Sequence, residues 1–213
     1  MEFSELLKIV DDLPLFETGL LLTGAVRPMD IRKQLSRWTA SGKLYQLRRG
    51  LYSLAPPYQK VRPHPFLVAN QLHAGSYVSL QSALAFYGMI PEYVPVTTSV
   101  TIRRPANYQT PLGQFNYRHI QPAWFTGYRR VDLENEQSAF VAGPEKALLD
   151  LIYLQPGSDS EAFLRSLRLQ ALDRLDKGAL RRLTGAAGKP KLLRALSIIE
   201  RIIDEENQGY ETL

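Results

Sequence analysis

Arg32, Lys33, Ser36 and Arg37 fall on one side of a helical period whose other side is Ile31, Leu35 and Trp38. If the apolar three face a core, the polar four point outward together. Forked guanidinium donors, an ammonium and a hydroxyl on one helix face suit guanine edges and phosphate oxygens. Nine basic residues lie between Arg27 and Arg62, against the single acid Asp30. That stretch is a net +8, so the rest of the chain carries −3 of the overall +5. Such clustering fits a local contact with a polyanion, although a solvated basic face would carry the same residues. Arg27, Lys43, Arg48 and Arg49 join the candidate set: Lys43 just past the helix, at phosphate height, and the Arg pair at a turn.

The surrounding elements must hold that face in place. Phe3, Leu6, Leu7 and Val10 form the stripe of a first amphipathic helix, broken at Leu13-Pro14-Leu15. A short apolar element, Phe16 to Leu22, is ended by Thr23-Gly24. Pro28 suits the first turn of the second helix, and Gly42 stops it. Lys43 to Arg48 reads as a strand, Arg49-Gly50 as its turn, and Leu51 to Leu54 as the returning strand. Helix, short element, helix and hairpin within about 50 residues is the order of a winged helix-turn-helix. Pro56-Pro57 and Arg62-Pro-His-Pro65 make a stiff boundary. The predicted domains are therefore 1–60, DNA-binding, and 63–213, mixed α+β and ending in helices. The expected fold class is α+β.

In the second part, helices are expected over Pro65–Leu72 and after Ser79, the latter with Ser79 as cap and Gly88 as stop. Val94 to Arg104, rich in Val, Thr and Ile, is a strand. Thr110-Pro-Leu-Gly113 is a tight turn, and Gln114 to Ile120 the partner strand. Pro144-Glu145 opens a helix with the apolar face Leu148, Leu149, Leu151 and Ile152, where Asp150 could pair with a nearby base. Helices over Ser160–Leu172, Gly178–Thr184 and Pro190–Glu206 complete the chain. Tyr117 and His119 share one strand face and Arg118 the other, forming either a weak partner surface or a structural hydrogen-bond cluster.

Several functions are disfavoured. The sequence has no cysteine, which removes disulfides, thiol nucleophiles and thiolate metal sites. His64, His73 and His119 sit in unrelated settings, so neither a metal site nor a catalytic residue is assigned. There is no phosphate loop, no GxSxG elbow, and no D…ExK pattern on a strand. No cofactor is expected. No apolar run reaches membrane-span length and the start is acidic, so a cytoplasmic protein without membrane contact is expected.

The run Leu35-Ser-Arg-Trp38, Gly42-Lys-Leu, and Leu47-Arg-Arg-Gly-Leu-Tyr52 resembles the winged helix of AbiEi-type antitoxins. The resemblance continues through Ser76–Leu84, Gly88–Glu92, Thr98–Val100, Tyr117–His119 and Pro144–Asp150, covering about Phe16 to Pro156. It implies a non-enzymatic transcriptional regulator of a type IV toxin–antitoxin system. Its implied partners are double-stranded DNA, at inverted repeats in its own operator, and a nucleotidyltransferase-like toxin from a neighbouring gene. A homodimer on DNA would suit such repeats. The other reading of the residues is a protein-interaction module whose basic face holds an acidic partner.

Overall fold

The computed structural model describes residues 1–22 and 27–211, with side chains to residue 206. Helix α1 (Phe3–Val10) begins where the Glu5 carboxylate accepts the Glu2 N–H at 2.8 Å. It leads to strand β1 (Phe16–Glu17) and a single 3₁₀ turn, Thr18–Leu21. The stop expected at Thr23-Gly24 lies outside the described residues. Helix α2 (Pro28–Ala40) has proline at its first turn. At its end Gly42 takes a φ of +71°, Lys43 N–H bonds the Trp38 carbonyl at 2.9 Å, and Gly42 N–H bonds Thr39 at 3.1 Å. Those paired bonds are the Schellman closure that a left-handed glycine permits. Strands β2 (Leu44–Arg48) and β3 (Leu51–Leu54) follow immediately, giving an antiparallel sheet in the order β1-β3-β2.

The remainder is mixed α+β. Helix α3 (Pro65–Leu72), strand β4 (Ser76–Val78) and helix α4 (Leu80–Phe86) precede strands β5 (Val96–Thr101), β6 (Ala106–Thr110) and β7 (Gly113–His119). Then come β8 (Tyr128–Asp132), β9 (Ser138–Ala142) and the helices α5 (Pro144–Leu154), α6 (Glu161–Ser166), α7 (Lys177–Ala187) and α8 (Pro190–Glu211). The described residues thus hold eight α-helices and two sheets, the second six-stranded in the order β6-β7-β5-β4-β9-β8. The turn at Thr110–Gly113 is where it was expected, but it joins β7 to β6. Strand β5 instead pairs with β7 in parallel, Val96 opposite Gln114. Strands β4, β6, β8 and β9 carry little sequence signal, being short or, at the sheet edges, polar and exposed. The helix expected over Ser160–Leu172 is interrupted after Ser166, with Arg168 and Ala171 at positive φ. Helix α5 matches its expected face and exceeds it: every residue from Lys146 to Ile152 is buried.

Buried apolar residues form two clusters. The smaller holds Leu6, Val10, Phe16, Leu21, Ile31, Leu35, Leu44, Tyr52 and Leu54. The larger spans the six-stranded sheet and its helices, and it also contains Leu47 and Leu51. Alternate residues of the β2–β3 hairpin therefore feed different cores. The segment between them is pinned rather than loose: Gln137 donates to the Arg62 carbonyl at 3.0 Å and accepts the His64 N–H at 2.7 Å. No described helix is long and apolar enough to cross a membrane.

Two expectations follow. Leu51→Ala should cost about 2–5 kcal/mol in urea unfolding, as for other fully buried leucines, because it hollows the contact between hairpin and larger core. His64 caps α3 by accepting the Phe66 N–H on Nδ1 at 3.1 Å, and burial lowers its pKa. The unfolded chain binds that proton more readily. Stability is therefore full above the ordinary imidazole value of about 6.5 and declines as pH falls through it. Burial lowers His73 in the same direction. His64→Asn, which keeps a cap acceptor, should reduce the acid loss of thermal midpoint between pH 7.5 and 5.5. An unchanged pH profile in that variant would exclude His64 as a source.

Candidate nucleic-acid interface

In α2, Ile31 and Leu35 are almost fully buried, and Trp38 is half-buried with its ring edge-on to Phe3 at 5.3 Å. Arg32, Lys33, Ser36 and Arg37 are consequently all exposed on the outer face. Arg27 precedes the helix and is exposed as well. Lys43 lies past the helix end with its ammonium 4.6 Å from the Phe3 ring centre, half-buried along its stem. Beside it a polar cleft of about 340 Å³ is lined by Met1, Glu2, Gln34, Arg37, Trp38, Ser41 and Lys43, and the buried Gln34 Oε1 there has no hydrogen-bond partner among the described residues. The cleft and the outer face of α2 meet at Arg37.

Electrostatic pairing separates this region from the C-terminal helices, where most cations are matched. Among the described residues, Arg27, Arg32, Lys33, Arg37, Lys43, Arg49 and Arg62 make no salt bridge. Of the nine cations in the stretch only Lys60 and Arg48 are paired, with Asp11 and Glu17. Arg48 departs from expectation. Its guanidinium does not extend from the hairpin tip: Nε and Nη2 both donate to the Gln71 carbonyl at 3.2 Å, and Nη2 reaches Glu17 at 3.1 Å. The last carbonyls of a helix have no partner within it, and Arg48 satisfies one at the end of α3. Only Arg49 stays exposed at the tip.

The second candidate set separates. Tyr117 is buried, its hydroxyl donating to the Ala69 carbonyl at 2.6 Å and its ring stacked on His73 at 4.8 Å. Burial pushes the phenol above its ordinary range. It belongs to the core and is unavailable to a partner. Arg118 is half-buried on the opposite face, and His119 is exposed with Nδ1 3.0 Å from the Arg103 carbonyl.

Two features lay outside the sequence-derived set. Between Glu92 and Asp132 the chain has five arginines (Arg103, Arg104, Arg118, Arg129 and Arg130) and no acid. That signal was countable in the sequence and was masked by the stronger cluster before it. The other is a buried ion pair, in which Asp150 meets the nearby base expected of it. Lys146 is hydrogen-bonded to Asp150 one helical turn away, with its ammonium 3.7 Å from the centre of the Trp124 ring. Asp150 also accepts Tyr77 Oη at 3.0 Å and Ser79 Oγ at 2.7 Å. Ser79 thus stands at the cap position of α4 but spends its hydroxyl on Asp150. Burial pushes Lys146 down and Asp150 up, while their mutual attraction opposes both shifts. Gly127, at φ +75°, lies so close that a Cβ there would sit 3.0 Å from the Lys146 stem. Both charges are shielded from solvent, so the pair acts as a fastener between α5 and β4.

No family model and no curated protein matches the chain. Among solved structures it is similar to the RV2827C protein from Mycobacterium tuberculosis, at 18% identity and a TM-score of 0.48. The likeness covers 92% of this chain and 80% of that one, and is too distant to carry an argument. Among the described residues no group of three or more His, Asp and Glu side chains is placed to hold a metal ion.

Asp150→Ala should cost about 3–5 kcal/mol in denaturant unfolding, because it strands a buried ammonium. The double replacement Lys146→Met with Asp150→Leu should recover most of that loss. Equal losses for single and double variants would contradict a charge-pairing role.

Proposed function

We propose that residues 1–60 are a winged helix that binds double-stranded DNA, with α2 in the major groove. The observation that carries this reading is the outer face of α2, where Arg32, Lys33, Ser36 and Arg37 are exposed together and the three cations make no salt bridge among the described residues. A groove-reading helix needs such a face, rigidly backed. Ile31 and Leu35 supply the backing on one side, and the Schellman closure fixes the exit into the hairpin. Arg27, Lys43 and Arg49 flank the face at positions suited to phosphate contacts, which set register without reading sequence. Arg48 supports binding indirectly, by holding the hairpin to α3. Residues 63–213 form the second domain in this reading, and their acid-free arginine tract adds positive potential.

We infer from the motif resemblance that the protein is a cytoplasmic, non-enzymatic autorepressor and antitoxin. Its operator would contain inverted repeats, bound by a pair of copies, and its opponent would be a nucleotidyltransferase-like toxin. DNA binding rests on the α2 face; the toxin rests on the resemblance alone.

The deciding measurement is a gel-shift titration on the DNA upstream of the gene, against random duplex, across a salt series. Saturable, selective binding is expected, weakening with a log–log slope of about −0.9 for each phosphate neutralised. Alanine at Arg32, Lys33 and Arg37 together should abolish selectivity and flatten the slope by up to about 3, with the thermal midpoint unchanged. Absence of selectivity in the wild-type chain would sink the repressor reading. Selective binding that survived the triple variant would move the interface off α2.

A further inference from the structure

The segment leading into α3, helix α4, the chain before β5 and the start of β7 together line a cavity of about 500 Å³ that opens to the surface. Small-molecule sites range over about 300–1,000 Å³ and favour junctions between units, with aromatic walls and a few placed polar groups. Phe66 and Phe115 form buried parts of this wall, whereas Phe86 and Tyr93 line it while remaining 40% and 89% exposed. The Phe86 ring lies 5.4 Å from Phe66, so it extends an aromatic surface from the interior to the mouth. Phe86 packs on Phe66 and Tyr87 yet keeps part of its ring exposed, and Tyr93 is almost wholly exposed, so both offer stacking surface to an occupant.

The charge at the mouth is selective too. Arg62 is exposed and makes no ion pair among the described residues, while Glu92, the one acid lining the cavity, is offset by Arg168 at 3.4 Å. A guanidinium beside open aromatic faces suits a planar ring that bears an acidic group. We propose that this cavity binds a nucleoside monophosphate, its base against Phe86 and Tyr93 and its phosphate on Arg62. The occupant would rest on the segment joining the two cores, between residues whose backbone Gln137 already clamps. The site stands independently of DNA binding by α2.

The test is calorimetric titration of the full chain with AMP, GMP, CMP and UMP in turn. Adenosine and inorganic phosphate serve as half-ligands. At least one nucleotide should bind saturably and raise the thermal midpoint, and each half-ligand should bind more weakly. Arg62→Ala should weaken binding about tenfold or more. Tyr93→Ala, at a side chain too exposed to affect folding, should weaken it severalfold, whereas Arg32→Ala should leave it unchanged. Three results would overturn the proposal. These are no saturable binding of any nucleotide at millimolar concentration, undiminished binding in the Arg62 and Tyr93 variants, or inorganic phosphate binding as tightly as the nucleotide. The second would place the nucleotide outside this cavity, and on the basic face of α2 only if Arg32→Ala weakened it.

Discussion

The β2–β3 hairpin buries side chains on both of its faces, and the geometry of the molecule depends on that. Leu44, Tyr52 and Leu54 enter the smaller core, while Leu47 and Leu51 enter the larger, following the strand alternation. Each fully buried leucine contributes about 1.5–3 kcal/mol, so a slip of one residue would reverse both sets at once. Only Ser41, Gly42 and Lys43 separate α2 from β2, in a closure that fixes the exit of the chain. Its outer face therefore has a set orientation relative to the six-stranded sheet. Arg48 reinforces the junction by satisfying a carbonyl at the end of α3 and pairing with Glu17. A residue at the hairpin tip thus serves as a brace, leaving Arg49 for contacts outward.

Charge is distributed by a second rule. In the C-terminal helices the cations are largely matched: Arg165 with Glu161 and Glu205, Arg181 with Glu200, Arg194 with Asp159, Arg201 with Glu161 and Lys177 with Asp204. Exposed pairs of this kind add little stability, but they cancel the local field. The stretch from Arg27 to Arg62 has only one acid, Asp30, and seven of its cations make no salt bridge among the described residues. Positive charge is thereby left unmatched on the free helix face, as it is on the acid-free arginine tract from Arg103 to Arg130. The buried Lys146–Asp150 pair belongs to neither pattern. Its charges are satisfied internally by Tyr77, Ser79 and the Trp124 ring, and they tie a helix to a sheet.

Local signals were enough for much of the architecture. The stripes at Phe3–Val10 and Ile31–Trp38, the Gly42 stop, the two-residue turn at Arg49-Gly50, and the proline-led starts of α3, α5 and α8 specify elements that the structure contains. In each case the information lies within a few residues: a period, a cap, or a φ that only glycine or proline favours. The outer face of α2 was legible for the same reason, since two buried positions and the half-buried Trp38 on one side of a helix dictate where the others point.

What depends on distant pairing was not legible. Strand β4 has three residues and β8 is an exposed edge, so neither has a period to read, and only the sheet gives them partners. Whether β7 pairs with β5 in parallel depends on the register of a crossover, which alternation does not encode. Tyr117 and Arg48 show the same limit for single residues. A tyrosine alternating along a strand could face either way until α3 covers it, and an arginine at a hairpin tip is free until a helix carbonyl comes within reach. By itself the sequence determined the helices, their faces and the clustered charge, because backbone geometry and side-chain period are local. The tertiary structure alone decided which cations remain unpaired and which aromatic rings line an open cavity, because those outcomes require residues far apart in the chain to meet.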